Sequence, residues 1–403
     1  MFKKLGYHIS NYRFSLVAII ITLSTIGIIL IQRLQDSDEN QFEKQIAGLL
    51  AGLFVMALVS LIDYHLICRF FIPLYFVNIL LMLICKYVTY DRFPYMYGWK
   101  HYDAQRWIKI GGNGTAGSGF EFMPSEISKI VLVIFMAKLF SLFEKKLNHW
   151  LSLLIIFVSC GIPIFLIFNQ PDLSTSIVLI ATFAIMLYMA GLSHRIVIPV
   201  ILIGIPSFAF LFWYVQQDFQ VILKTWQQDR ILSILHPEQY ADLMYQQNNA
   251  KAAITAGGMF GKLIAGDTSF RLTNYVPVVE SDFIFSAIAE EFGFLGCAFI
   301  IFLFCLFTFI SFKVAMRAKD RLGYLLASGI AVMVMLQAVV NICVVLSLLP
   351  NTGIPLPFMS SGLSSLMTNI MTIGIILNIG MQNRDVNLTP ELEFEKGLLE
   401  DLK

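Results

Sequence analysis

Residues 14–31 read FSLVAIIITLSTIGIILI, a run of 18 without one charged side chain. In a helix such a run is about as long as the hydrocarbon layer of a bilayer is thick, so it reads as a membrane span. Nine further runs of similar character follow, at about 46–63, 70–89, 127–143, 151–168, 173–191, 196–215, 283–312, 322–349 and 354–381. The expected fold class is therefore all-α: a polytopic integral membrane protein with about ten transmembrane helices, forming one membrane domain over residues 1–382. Lys3, Lys4 and Arg13 precede the first run and no small-residue cleavage site follows it, so a retained span is expected rather than a signal peptide.

Composition agrees. Of 403 residues, 57% are hydrophobic and 14% are charged, and so few charges cannot coat the surface of a soluble domain this large. The formal net charge of +1 argues against a polyanion-binding protein, so no nucleic-acid partner is expected. Cys68, Cys85, Cys160, Cys297, Cys305 and Cys343 lie in or beside apolar runs and never as C-x-x-C, which argues against a zinc site or a disulfide framework.

Lys and Arg distribution sets the orientation. Alternate short segments hold Lys3, Lys4, Arg13, Arg69, Lys145, Lys146, Arg195, Lys313, Arg317, Lys319 and Arg321, whereas the turns at 169–172 and 350–357 hold none. Both termini are expected to be cytoplasmic, with residues 383–403 a cytoplasmic tail. Two outer segments are too long for plain connections: an outer loop over 90–126, and a 66-residue extracytoplasmic loop over 216–281 between helices seven and eight. The aromatics of the second favour a packed, membrane-grazing loop over a floppy one.

Two glycine clusters imitate nucleotide motifs. Gly112–Gly117 spells G-x-G-x-x-G, but no strand is expected before it and a membrane helix is expected after it, so it reads as an exposed insertion. Gly257-Gly258-Met259-Phe260-Gly261-Lys262 lacks the first Gly and the final Ser or Thr of a phosphate loop. More informative are three outer helix starts: Pro124-Ser125-Glu126 with Lys129, Gln170-Pro171-Asp172, and Ser281-Asp282-Phe283. Capping accounts for Asp and Ser at such places. It leaves unexplained why so many ionisable groups gather at one level. Glu290 and Glu291 fall about 12–13 Å beyond Asp282 on a continuous helix, deep enough to need a polar cavity or an ion-pair partner. Pro350–Pro357 and the serines through Ser364 suggest a broken helix start lining a cavity, with small-residue packing as the alternative.

These motifs also occur in one order. Arg106-Trp107-Ile108, Pro124-Ser125-Glu126-x-x-Lys129, Gln170-Pro171-Asp172-Leu173, Tyr245-Gln246 with Gly257-Gly258, Asp282-Phe283-Ile284-Phe285 with Glu290-Glu291, and Gly353-Ile354-x-Leu356-Pro357-Phe358 together resemble the SEDS family, across nearly the whole membrane domain. The resemblance implies a peptidoglycan glycosyltransferase that polymerises lipid II beside a class B penicillin-binding protein transpeptidase. It implies that Asp282 is the catalytic residue and that Arg106, Glu126, Lys129 and Arg230 are substrate-binding; Asp172, Glu290, Glu291 and Ser364 are read from their placement as cavity or structural residues. Met123, Ser174, Val278 and Leu363 depart from the family pattern. The short N-terminus leans toward the elongation type.

Transfer from a lipid diphosphate to a sugar hydroxyl needs a base and cationic stabilisation of the departing diphosphate. Asp282 is the expected base, and Arg106, Lys129 and Arg230 the expected cations. A divalent cation, Mg or Mn, is the one cofactor this chemistry leaves open. Two other classes compete: a flippase for lipid-linked cell-wall precursors using Asp172, Glu290 and Glu291, and a non-catalytic scaffold for a transpeptidase.

Overall fold

The computed structural model describes residues 11–34, 41–91, 93, 95–101, 104–111, 120–170, 172–217, 219–221, 225–267, 270–351 and 353–382. Pro171, the glycine cluster at 112–117 and the tail over 383–403 lie outside the described residues.

The first helices are α1 (Phe14–Leu34), α2 (Gln41–Leu61), α3 (Tyr64–Arg69), α4 (Phe71–Tyr87) and α5 (Pro124–Leu142). Then come α6 (Trp150–Phe168), α7 (Leu173–Met189), α8 (His194–Val215), α9 (Thr225–Leu235), α10 (Ala241–Gly257) and α11 (Gly261–Ile264). The chain closes with α12 (Ile284–Met316), α13 (Arg321–Val345) and α14 (Leu363–Met381). Seven of these, α1, α2, α6, α8, α12, α13 and α14, are long and apolar enough to cross a membrane, and α4 and α7 are apolar but shorter. The protein is a multi-pass helical membrane protein. α5, α13 and α14 are buried along most of their length, whereas Val215 is the one buried residue of α8. Apolar side chains exposed all along α8 are what a lipid-facing helix presents.

The all-α expectation fails in the first outer segment. Strands β1 (Met96–His101), β2 (Ala104–Ile110) and β3 (Phe120–Phe122) form an antiparallel sheet in that order. Lys109 is wholly buried there; its ammonium lies 3.0 Å from Glu121, its cross-strand neighbour, and 4.2 Å from the Trp99 ring centre. Strand-favouring Tyr and Trp packed around a paired cation override what looked like a long connection.

Two helices also start or bend differently. α14 begins at Leu363 and not at 354, because Pro355 and Pro357 cannot donate to a helix ladder. α12 is interrupted at Gly293, whose φ of 66° and ψ of −164° lie outside helical space. Residues 294–316 alone measure about 34 Å at 1.5 Å per residue, enough to cross a bilayer. Glu290 and Glu291 therefore precede that crossing on a separate short helix.

The long outer loop is folded. α10 packs on the upper part of α12 and is tied to the end of α13, Gln247 Nε2 donating to the Val344 and Leu349 carbonyls at 2.8 and 2.9 Å. Asn249 Nδ2 donates to the Tyr275 carbonyl at 3.0 Å. At the far end of the bundle, His65 bridges Asp63 (2.9 Å) and Asp320 (3.0 Å), and Tyr64 Oη donates to Asp320 at 2.7 Å. That brace joins α3 to the start of α13.

Candidate functional site

Asp282 ends the tight turn that delivers the outer loop into α12, and hydrogen bonds to three successive carbonyls, those of Glu280, Ser281 and Asp282, fix that turn. Ser360 Oγ donates to the Ser281 carbonyl at 2.5 Å and itself accepts from Leu356 N at 2.8 Å. Ser361 N donates to the Glu280 carbonyl at 2.8 Å. Asn341 Nδ2, on α13, donates to the carbonyls of Asp282 (2.8 Å) and Ile354 (2.7 Å). The proline segment between α13 and α14 thus serves as the seat of the Asp282 turn. Its irregular backbone is satisfied by protein donors, as a non-helical stretch at this level requires.

The Asp282 side chain accepts from Ser281 Oγ through Oδ1 at 2.8 Å. Its Oδ2 faces Gly353, where an added Cβ would stand 3.1 Å from that oxygen and 3.9 Å from Arg106 Nη1. Gly353 has a φ of 71° and no side chain, so one carboxylate oxygen and one guanidinium reach the same small space.

Electrostatics in that space are mixed. Burial raises the Asp282 carboxyl above the ordinary range, the Ser281 bond and Arg106 pull it back, and the neighbouring charges of Asp172 and Glu280 push it up. Asp172 caps α7, its Oδ1 accepting from Thr175 N at 3.2 Å while Oδ2 is buried without a hydrogen-bond partner. Arg230, on α9, is held below its usual basicity by burial and by the Arg106 guanidinium. Two guanidiniums that repel one another, the Arg106 one beside the Asp282 carboxylate, suit a polyanionic ligand, whose arrival relieves the repulsion.

Glu126 and Lys129 are paired with each other. Lys129 Nζ lies 2.8 Å from a Glu126 carboxylate oxygen and donates to Gln337 Oε1 at 2.8 Å, both charged residues being buried. Gln337 stands one turn before Asn341 on α13, so this pair braces the helix that holds the Asp282 turn. Glu290 accepts from Lys262 (2.6 Å), Leu272 N (2.7 Å) and Thr273 N (2.9 Å), and Glu291 pairs with Arg271 at 2.5 Å. The carboxylate pair pins the outer loop onto α12. Ser364 is half-buried in the first turn of α14.

Asn341, Ser360 and Ser281 carry the geometry around Asp282; the two serines stand in stretches the sequence singles out, whereas Asn341 does not. A signal existed: Gln337 and Asn341 are amides four residues apart in an otherwise apolar stretch, a costly placement unless both find partners. Replacing Asn341 with Leu leaves two buried carbonyls without their donor. Any activity that depends on Asp282 is expected to fall about 10²-fold as the turn loosens, with protein level nearly unchanged, measured by initial rates on purified protein.

The chain matches the model of the family described as cell cycle protein, of FtsW, RodA and SpoVE, over residues 9–385. It is 32% identical over 386 residues to a probable peptidoglycan glycosyltransferase FtsW of Trichlorobacter lovleyi, covering 93% of this chain and 94% of that one. It is 30% identical to stage V sporulation protein E of Bacillus subtilis, covering 92% and 97%, and 28% identical to peptidoglycan glycosyltransferase MrdB of Escherichia coli, covering 91% and 92%. Among solved structures, a chain from a peptidoglycan synthase complex superposes with a TM-score of 0.72 at 24% identity, covering 92% of this chain and 97% of that one. The rod shape determining protein RodA of Thermus thermophilus superposes with a TM-score of 0.63 at 22% identity, covering 93% and 98%.

Proposed function

The chain belongs to the FtsW, RodA and SpoVE family and is a peptidoglycan glycosyltransferase, and from that premise we propose that it polymerises lipid II through Asp282. The observation that carries the reading is the convergence of the Asp282 carboxylate and the Arg106 guanidinium at Gly353. Asp282 takes the proton of the acceptor sugar's 4-hydroxyl as that oxygen attacks the anomeric carbon of the donor. The bond from that carbon to the diphosphate breaks with inversion, a β-1,4 linkage forms, and the lipid diphosphate leaves toward Arg106 and Arg230. Glu126 and Lys129 act on substrate through α13, by fixing the helix behind the turn.

The proposal includes ten transmembrane helices with both termini cytoplasmic, so that the site opens on the outer face of the cytoplasmic membrane. It includes a class B penicillin-binding protein transpeptidase as partner, which cross-links the strands. A role in cell elongation is part of it, and rescue of a shape mutant, as against a division mutant, tests that role. Among the described residues no three potential ligands cluster to hold a metal. The buried unpartnered Oδ2 of Asp172 is nonetheless the side-chain oxygen that would hold a Mg ion here. Such an ion, when bound, neutralises charge on the leaving group. The flippase alternative loses two of its polar groups, because Lys262 and Arg271 occupy Glu290 and Glu291.

The pH profile tests the base. Asp282 works only when ionised, so activity is lost as pH falls through a carboxyl value raised above the ordinary figure of about 3.9. Asp172→Asn removes a repelling charge and is expected to move that acidic limb to lower pH. Arg106→Gln removes an attracting one and is expected to move it higher. Both are read from the pH dependence of kcat/KM with lipid II. An acidic limb unmoved by both changes would exclude Asp282 as the group titrating.

A further inference from the structure

The glycine cluster Gly257–Gly261, whose letters depart from those of a phosphate loop, occupies an unusual position. It forms the turn between α10 and α11, pressed into the break of α12. Gly258 and Met259 offer their carbonyls to Phe294 N (2.9 Å) and Leu295 N (3.2 Å), the first free N–H groups of the lower α12 segment. A membrane helix that starts afresh needs such acceptors, since the bilayer supplies none.

That contact fixes the height of the turn. Counting back from Lys313 to Phe294 at 1.5 Å per residue gives about 29 Å, close to the thickness of the hydrocarbon layer. Phe294 therefore lies at its outer boundary, and so does the turn bonded to it. The side chains presented there are Met259 and Phe260, more than half exposed at 56% and 57%. Phe294, Leu295 and Phe299 directly below are exposed as well, at 63%, 46% and 47%. Lys262, the nearest cation along the chain, is spent on Glu290. The apolar pair thus continues the lipid-facing surface of α12 upward into the loop.

We propose that Met259 and Phe260 form a wedge that enters the outer leaflet of the bilayer and holds the large outer loop at the membrane surface. The occupant of this patch is lipid, at the boundary between headgroups and acyl chains, where Phe and Met gain from burial while the Gly258 and Met259 carbonyls are already hydrogen-bonded. Because α10 and the upper part of α12 pack together, the wedge also sets the level at which Asp282 meets a diphosphate anchored in the same leaflet. This last point rests on the proposed glycosyltransferase mechanism, while the wedge itself does not.

Site-specific photo-crosslinking in intact membranes tests it. A benzophenone-bearing phenylalanine analogue is placed at Phe260, at Met259, and at Val221 as a loop control that is 86% exposed. Irradiation is followed by mass analysis of the purified full-length chain. Phospholipid adducts at positions 260 and 259, well above those at 221, are expected. Adducts to another protein at 260 and 259, or lipid labelling no higher than at 221, would overturn the proposal. Polymer synthesis by the unirradiated variants reports whether the chain has folded. A wedge result in either direction stands apart from the Asp282 assignment, which Asp282→Asn tests without lipid labelling.

Discussion

Asp282→Asn is expected to leave the protein folded and inserted while cutting lipid II polymerisation by about 10²–10⁴-fold, the range a positioned general base supplies. The change conserves shape. Ser281 Oγ can still donate to the amide oxygen, and Asn341 still holds the main-chain carbonyl, because neither bond depends on the carboxylate charge. What is lost is an acceptor for the hydroxyl proton and a negative charge beside Arg106. Purified variant and wild type given lipid II, with product resolved by length, decide the matter. Polymer formed at the wild-type rate would remove Asp282 from the mechanism. Stability should move the other way with pH from activity. A carboxyl raised by burial stabilises the fold when protonated, and that contribution disappears as pH rises through its raised value. Asp282→Asn should therefore flatten this part of the stability profile.

The second large effect is on folding. Gly257→Ala would place a Cβ 1.8 Å from the Ala289 carbonyl oxygen, and Gly261→Ala would place one 2.2 Å from that of Glu291 with φ already at 80°. At Gly293, also in left-handed space, a Cβ would meet Gly261 N at 2.4 Å. In each case the obstructing atom is backbone, which has no rotamer to yield. A loss of at least about 3 kcal/mol is expected at each position, at the upper end of overpacking costs. Gly204→Ala on α8 is the control: nothing lies within 4 Å, and a helix interior gains about 0.5–1 kcal/mol from the change. Thermal unfolding in detergent should rank the four variants in that way, with Gly257→Ala, Gly261→Ala and Gly293→Ala far below wild type.

The lesson of these residues concerns range. The runs at 14–31, 151–168, 173–191 and 196–215 reappear as α1, α6, α7 and α8 with ends within a few residues. Hydropathy is a local property, and the bilayer imposes one secondary structure on any run that long. The β1–β3 sheet was not legible. Its pairing joins residues on either side of a glycine-rich interval, and a buried Lys109 is affordable only with Glu121 and Trp99 in place. The break at Gly293 was equally hidden. A glycine in an apolar run is tolerated, and only the carbonyls of Gly258 and Met259 make an interruption stable.

Among the site residues, chemical character was readable and partnership was not. Scarcity of charge made Asp282, Arg106, Glu126, Lys129, Asp172, Glu290 and Glu291 conspicuous, because each charge in such a chain needs a reason. Which reason applied depended on contacts far along the chain. Lys262 reaches Glu290 across 28 positions, Asn341 reaches the Asp282 carbonyl across 59, and Ser360 reaches Ser281 across 79. By itself the sequence determined a membrane protein of many helices with an outer cluster of ionisable groups, since hydrophobic free energy accumulates residue by residue along each run. Only the tertiary structure decided that the two glutamates are ion-paired struts and that Asp282 stands beside Arg106 on a turn clamped by Asn341 and Ser360. Pairing energies depend on distances in space, and those are set when the helices pack.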